Sequence, residues 1–480
     1  MSPARFETDG VREGIDYYNY LAKFGIDLSL DRVRELLKIF GDPHRQFTTV
    51  LVGGTNGKGS VTTILSSLLT GSGYRCGRYL SPHIFSLDER IGIDDKRISL
   101  DELHQGMLEI RDKSRSLEIP ITQFEAMTAL AYIYFSRNEV EIAVIEVGMG
   151  GRFDATNVAE PVISIITNVT LDHTDHLGKT VEAIAREKLG ITRKDSVTLL
   201  GQSPDQDGYE YLEKKSRALS SIRIVNGKDF TVNITESRGN FTTFDLELLP
   251  EGNENPFSLR SMQGLRVHGG RYQAVNASLA VIALEVLGRK EGFVVSAEHI
   301  RQTLSGFSLT GRFQSVLESP QMILDCAHNP SGMGELARAL RSLLHEKREI
   351  DSQQGINFHR KINWICSFMG DKDITGMLRE IFSVATNVFI SELPLERSAK
   401  VKDLAMIAAE TIAEGEKEIG GVARENKRVR NYSVFSRPEN AVKTALINTT
   451  GYDILVIAGS IYSLSTYVDM LRKYRMTIEI

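Results

Sequence analysis

The chain has 480 residues, 41% of them hydrophobic and 25% charged, with a net charge of −5 at neutral pH. That length suits two to three domains, since one core rarely grows beyond ~250–300 residues, and the mild acidity argues against a dedicated nucleic-acid binder. Three cysteines (Cys76, Cys326, Cys366) make no disulfide framework, no apolar run reaches the ~18 residues of a membrane span, and residues 1–10 lack the apolar core of a secretory leader, so a cytoplasmic monomer without membrane or nucleic-acid partners is expected.

In chain order, residues 48–52 form a short apolar run that predicts a buried strand. Residues 60–69 place Val61, Ile64, Leu65, Leu68 and Leu69 on one helical face. A second helix is predicted at 124–135, with strands at 142–147 and 162–169. Strands alternating with helices imply a largely parallel sheet covered on both faces. The stretch 201–271 changes character: a turn-rich Ser203-Pro204-Asp205-Gln206-Asp207-Gly208, then alternation at 230–234 that pairs with 241–248. It reads as an antiparallel embellishment of the first domain. A helix follows at 272–287.

Serine and glycine at 305–311 mark a boundary, giving an N-terminal domain at 1–308 and a C-terminal one at 309–480. Beyond it, strands are predicted at 321–325, 363–368, 387–390 and 454–458, with a helix at 335–344. Polar stretches at 347–358 and 414–431 read as solvated surface, including the cluster Arg424, Lys427, Arg428 and Arg430.

The chemistry begins at Gly53-Gly54-Thr55-Asn56-Gly57-Lys58-Gly59-Ser60, between a strand and a helix. Glycines let successive N–H groups turn toward phosphate oxygens, and the helix N-terminus adds its positive end. Lys58 reaches the outer phosphates and Ser60 offers a hydroxyl to Mg²⁺. An extra glycine between lysine and serine departs from the standard phosphate loop. A GTPase would add an Asn-Lys-x-Asp segment, but Asn426-Lys427 runs into Arg428-Val429.

Glu146 ends an apolar strand, where open α/β sheets bind ligands. A lone carboxylate in such a run needs a partner, and its position favours Mg²⁺ over a structural ion pair. After the next strand, Asp172, His173, Asp175 and His176 crowd one loop, and spacing alone does not say which of them reaches a metal. Lys188 shares a helical face with Val181, Ile184, Ala185 and Leu189. Taken alone, it is best read as a lysine that runs past the apolar stripe to solvent.

These segments together resemble the folylpolyglutamate synthase and dihydrofolate synthase family, a branch of the Mur ligase superfamily. The resemblance spans nearly the whole chain. It rests on the phosphate loop, Tyr79-Leu80-Ser81-Pro82-His83, Thr122-Gln123-Phe124-Glu125, residues 146–157, Leu171-Asp172-His173-Thr174, Arg186-Glu187-Lys188-Leu189-Gly190-Ile191, Gly311-Arg312-Phe313, residues 325–330, residues 369–373 and Gly459-Ser460-Ile461-Tyr462, in the family's order. It implies an α/β, Mur-ligase-like fold: an N-terminal P-loop ATPase-type domain with a largely parallel sheet and a smaller C-terminal Rossmann-like domain.

The resemblance also implies a reaction. ATP phosphorylates a pterin or folate carboxylate, and the amine of L-glutamate displaces phosphate to form an amide. The implied ATP contacts are Gly54, Thr55, Asn56, Gly57, Lys58, Gly59, Ser60, Asn276, Arg312, Asp325 and His328, with ATP in a cleft between domains. Ser81, Glu146 and His173 match magnesium ligands, beside Ser60. Lys188 matches a lysine that is carbamylated, because an ammonium does not bind Mg²⁺ but a carbamate does. Lys58, Lys188 and His173 form the implied catalytic group. Thr122, Gln123, Phe124, Glu125, Phe153, Asp154 and Ala155 match folate contacts. The implied partners are ATP, L-glutamate and dihydropteroate or a reduced folate. Cys326 stands where glycine is usual, and Thr310 where proline is usual. The leading expectation is a bifunctional enzyme. The alternatives are an elongation-only synthase, another Mur-type amino-acid ligase, and a nucleotide-driven switch without ligase chemistry.

Overall fold

The computed structural model describes residues 12–25, 29–116, 118–220, 222–249, 260–353, 360–418 and 431–474. The cluster Arg424, Lys427, Arg428 and Arg430 lies outside them, as do residues 354–358 and 419–430 of the two polar stretches.

The chain divides into two compact units. The first comprises Met1–Asn233, Asp245–Leu265 and Val275–Gly306, and the second Ile234–Phe244, Arg266–Ala274 and Phe307–Ile480.

The first unit is built on eight strands: β1 (Thr48–Gly53), β2 (Cys76–Tyr79), β3 (Ile91–Ile93), β4 (Lys96–Arg97), β5 (Ile142–Glu146), β6 (Ile163–Ile166), β7 (Val197–Leu200) and β8 (Ile222–Val225). Their order is β4-β3-β2-β5-β1-β6-β7-β8. From β2 to β8 neighbours run parallel, while β3 and β4 add an antiparallel edge. β1 is central because both faces of its apolar run are covered: Val50, Leu51 and Val52 are fully buried. The helix Lys58–Gly71 then lays Val61, Ile64, Leu65, Leu68 and Leu69 into the core. Its last turn closes where Tyr74 N–H donates to the Leu69 carbonyl and Gly73 N–H to that of Thr70.

The stretch 201–271 differs from expectation. Its first part, the helix Tyr209–Leu219 and β8, continues the main parallel sheet. The remainder forms a separate three-stranded sheet of β9 (Phe230–Arg238), β10 (Phe241–Leu248) and β11 (Met262–His268), in the order β11-β10-β9. β11 carries Gly264 and polar residues on one side, which weakened its alternation. Part of this sheet clusters with the second unit.

The second unit holds β12 (Gln314–Glu318), β13 (Gln321–Leu324), β14 (Ile362–Cys366), β15 (Asn387–Ser391), β16 (Asn431–Phe435) and β17 (Ile454–Ile457), ordered β12-β13-β17-β14-β15-β16. All are parallel except β12. The helix Pro330–Gln353 runs well past the expected 335–344. Asp351, read as solvated surface, is instead buried and paired with Arg360 at 2.6 Å. Among the described residues, no helix is long and apolar enough to cross a membrane.

Candidate active site

The carboxyl ends of β1, β5 and β6 lie side by side, with Val52 registered against both Glu146 and Ile165. Everything that leaves those ends converges. The phosphate loop is laced to the segment after β6: Thr55 N–H donates to the Asn168 carbonyl at 2.8 Å, and Asn56 N–H to Asn168 Oδ1 at 2.8 Å. Thr55 Oγ1 donates to the Thr170 carbonyl and accepts from its N–H, at 3.2 and 3.1 Å. Asn168 and Thr170 stand outside the expected contact set. Their signal was local: a run of small polar residues directly after a buried strand.

Gly57 has φ +85°, in the left-handed region, and a Cβ there would overlap the Asn276 side chain. Asn276 therefore sits against the turn of the loop, although it lies far away in sequence on the helix Tyr272–Lys290.

Two lysines meet at one oxygen. Lys58 Nζ donates to the carbonyls of Gly54 and Thr55, each at 3.1 Å, and Lys188 Nζ donates to the same Gly54 carbonyl at 2.7 Å. Lys188 does not run to solvent: it is 4% exposed, on the buried face of the helix Val181–Leu189. The snorkelling reading fails because its helical face is buried and its amine bonds to the phosphate loop instead of reaching water. Burial drives its pKa well below the ordinary lysine value, and the neighbouring Lys58 charge lowers it further against the pull of Asp172 and Asp154.

Glu146 ends β5 and accepts from Ser81 N–H at 3.0 Å. Ser81 Oγ is buried and makes no hydrogen bond among the described residues. A lone hydroxyl beside a buried carboxylate suits a hard cation, which takes oxygen ligands and often only one or two carboxylates. Among the described residues no group of three or more His, Cys, Asp and Glu is gathered to hold a metal, and a site made of Ser, Glu and one His is not of that kind. His173 takes φ +49° as the N-cap residue of the short helix Thr174–Leu177. Its N–H donates to Asp172 Oδ1 at 2.8 Å, and its Nε2 lies 3.9 Å from Asp172 Oδ2.

The folate candidates divide by what their side chains already do. Thr122 and Glu125 form a capping box at the start of the helix Gln123–Arg137. Glu125 also takes a two-pronged bond from Arg32, at 3.2 and 3.0 Å, and Gln123 Nε2 donates to the Tyr18 carbonyl at 3.2 Å. Phe124 is different: its ring lies 6.3 Å from that of Tyr79 and faces Gly148, which Asp154 also approaches. Asp154 is buried and accepts from Met149 N–H at 2.8 Å, Thr156 N–H at 3.0 Å and Thr156 Oγ1 at 2.6 Å. Burial still holds its carboxyl above the usual range. Ala155 is buried behind it, while Phe153 is exposed, with the Arg152 guanidinium 4.8 Å from its ring centroid.

In the second unit, Asp325 follows β13 and is buried. Its Oδ2 accepts from Phe313 N–H at 2.7 Å and from the Tyr272 hydroxyl at 3.5 Å, and its Oδ1 from Ala327 N–H at 2.8 Å. Burial raises its pKa, opposed first by Arg312. His328 Nδ1 lies 2.9 Å from the Cys326 carbonyl. Cys326, in place of the usual glycine, is buried, and its N–H donates to the Gly311 carbonyl at 2.8 Å. It is not among the residues with left-handed backbones, so the turn has no need of glycine there.

Comparison with known proteins falls in the same place. Residues 52–284 match the Mur ligase middle domain, and residues 311–461 match the Mur ligase glutamate ligase domain. The chain is 30% identical to the dihydrofolate synthase/folylpolyglutamate synthase of Mycobacterium tuberculosis, over 80% of this chain and 78% of the relative. It is 27% identical to the protein of the same name from Bacillus subtilis, over 92% and 95%. The crystal structure of the bifunctional folylpolyglutamate synthase/dihydrofolate synthase of Yersinia pestis, complexed with AMPPNP and a Mn ion, superposes with a TM-score of 0.76 at 27% identity, covering 97% of this chain and 98% of that one.

Proposed function

Because the chain belongs to the dihydrofolate synthase/folylpolyglutamate synthase family of Mur ligases, we propose that it uses ATP to join L-glutamate to a pterin or folate carboxylate, in both the first addition and the elongation. The observation that carries the reading is the meeting of Lys58 and Lys188 at the Gly54 carbonyl, in the fold whose relatives are named for this ligation.

The chemistry asks for two things. A carboxylate is a poor electrophile until an oxygen becomes a leaving group, so the γ-phosphate of ATP passes to the substrate carboxylate and ADP leaves. The glutamate amine then forms the C–N bond, the C–O bond to phosphate breaks, and the amine proton is lost. The first step concentrates negative charge, which preorganised donors stabilise. The N–H groups from Gly57 to Ser60 and the Lys58 ammonium would stabilise that charge, with Asn276 packed against the turn. In the second unit, Arg312, Asp325 and His328 are proposed as nucleotide contacts on the family resemblance alone.

Ser60, Ser81, Glu146, His173 and Lys188 would hold Mg²⁺, whose contribution when bound is to neutralise the phosphate oxygens. Lys188 serves as a ligand only after its neutral amine adds CO₂ and loses a proton, giving a carbamate. Its burial and the Lys58 charge both disfavour the ammonium form. For the pterin, Phe124 and Phe153 offer aromatic faces, with Ala155 behind them. Thr122, Gln123, Glu125 and Asp154 shape the wall through their bonds to the protein.

The test supplies ATP, Mg²⁺ and L-glutamate with either dihydropteroate or a reduced folate and follows product mass. One added glutamate on each acceptor is expected. No product from either overturns the proposal, as does phosphate release that ignores glutamate.

A further inference from the structure

The segment after β5 runs back against the end of the helix Val181–Leu189, and the two are fastened by groups outside the expected site. Arg152 N–H donates to the Glu187 carbonyl at 2.9 Å. The Asn157 amide, 4% exposed, donates to the Arg152 carbonyl at 3.0 Å and to the Gly190 carbonyl at 3.1 Å. Arg193 completes the set. Its guanidinium donates to the carbonyls of Gly190, Thr192, Asn157 and Ala159 at 3.2, 3.1, 3.1 and 3.2 Å, and to Asn157 Oδ1 at 2.8 Å. The backbones touch: a Cβ at Gly190 would lie 2.6 Å from Arg152 Cα, and one at Gly151 would lie 2.8 Å from the Glu187 oxygen.

A helix end leaves its last carbonyls without intrahelical donors and frays. This end carries Lys188, a long side chain whose amine donates to the Gly54 carbonyl. Freed, its amine would gain water. The same fastened loop presents Phe153 and Asp154. We infer that Asn157 and Arg193 are positioning residues that latch the 151–157 loop to the end of the Lys188 helix, fixing the lysine under the phosphate loop and the aromatic wall beside it in one piece. The inference rests on the reading of Lys188 as a site residue. Its mechanical part stands on these contacts alone.

The experiment uses the full chain with Asn157→Ala and, separately, Arg193→Lys, which keeps the charge but loses the fork. Amines are methylated reductively in bicarbonate-free buffer and Lys188 is read by peptide mass. Alkylation of Cys76, buried on β2 of the same unit, reports general loosening. Lys188 labelling is expected to accelerate at least about tenfold in each variant, as for local opening, with Cys76 unchanged. In assay, kcat falls at least about tenfold, as for groups that orient a ligand, while KM for ATP stays within about twofold. Unchanged Lys188 labelling overturns the latch. So does Cys76 opening in step with it, or Arg193→Lys behaving as the parent chain. If Lys188→Ala alone keeps full turnover, the site reading falls, and the labelling still decides the latch.

Discussion

Lys188 in the first unit and Asp325 in the second are both buried ionisable side chains whose charged forms are disfavoured by burial. Their surroundings differ. Asp325 is stitched into its turn by the N–H groups of Phe313 and Ala327, with Arg312 supporting its charge. Among the described residues, Lys188 donates to one carbonyl, that of Gly54, and faces a second lysine that opposes its charge. One residue is built into the backbone it serves; the other is held in a state it would leave if released. Stability and chemistry are therefore joined at Asp325 and separable at Lys188.

The largest effect should come from removing the two lysines. Lys58→Ala and Lys188→Ala are each expected to lower kcat by a factor on the order of 10²–10³, or more, with the far-ultraviolet spectrum unchanged. A near-normal rate in either folded variant would erase the contrast. Next, Asp325→Asn sets an amide NH₂ against one of the two backbone donors. It should cost roughly 1–3 kcal/mol, seen as a lower urea midpoint; an unchanged midpoint would show that the carboxylate is not structural.

Lys188→Met should act in the opposite direction. The unfolded chain keeps this amine protonated up to its ordinary value of 10.5, while the folded chain releases the proton lower. Between the two values the unfolded state binds the extra proton, so stability rises with pH. In bicarbonate-free buffer at neutral pH the methionine variant should gain on the order of 1 kcal/mol, roughly 2–4 °C in Tm. That gain should vanish as pH approaches 10.5, and a gain independent of pH would falsify the charge argument. The smallest effect is at Ser81. Its hydroxyl has no hydrogen-bond partner among the described residues, so Ser81→Ala should change stability by less than about 0.5 kcal/mol, yet raise the Mg²⁺ concentration needed for half-maximal rate severalfold. A stability loss with unchanged magnesium dependence would make Ser81 an ordinary core residue.

Much of this was legible in the residues. The alternation of short apolar runs with 3.6-periodic segments places β1, β5, β6 and their helices, because both faces of such strands are buried. The extra Gly59 is visible as a departure from the standard loop, and the resemblance to the ligase family rests in part on the loop that carries it. Lys188 shows where local reading stops: its helical face is visible in sequence, but whether that face meets solvent depends on what packs over it. Asn157 and Arg193 were missed for a related reason. Their partners are carbonyl oxygens, which every residue carries, so no pattern of side chains announces them. Glu125 looked like a ligand contact, and its capping and Arg32 bonds became visible only when the helix start was built. β8 was missed because Asp205–Gly208, read as the start of an antiparallel excursion, instead turns the chain into another helix and parallel strand.

The second unit also contains Ile234–Phe244 and Arg266–Ala274, which the chain lays down well before Phe307. During synthesis these two segments leave the ribosome ahead of everything else in their unit and must wait for it. Asn240, in the first of them, is bonded to Gln321 at 3.3 Å, and Tyr272, in the second, to Asp325. A gene cut after Gly306 would therefore not yield two self-sufficient halves. The downstream piece would lack Asn240 and Tyr272, and the upstream piece would carry them without Gln321 and Asp325.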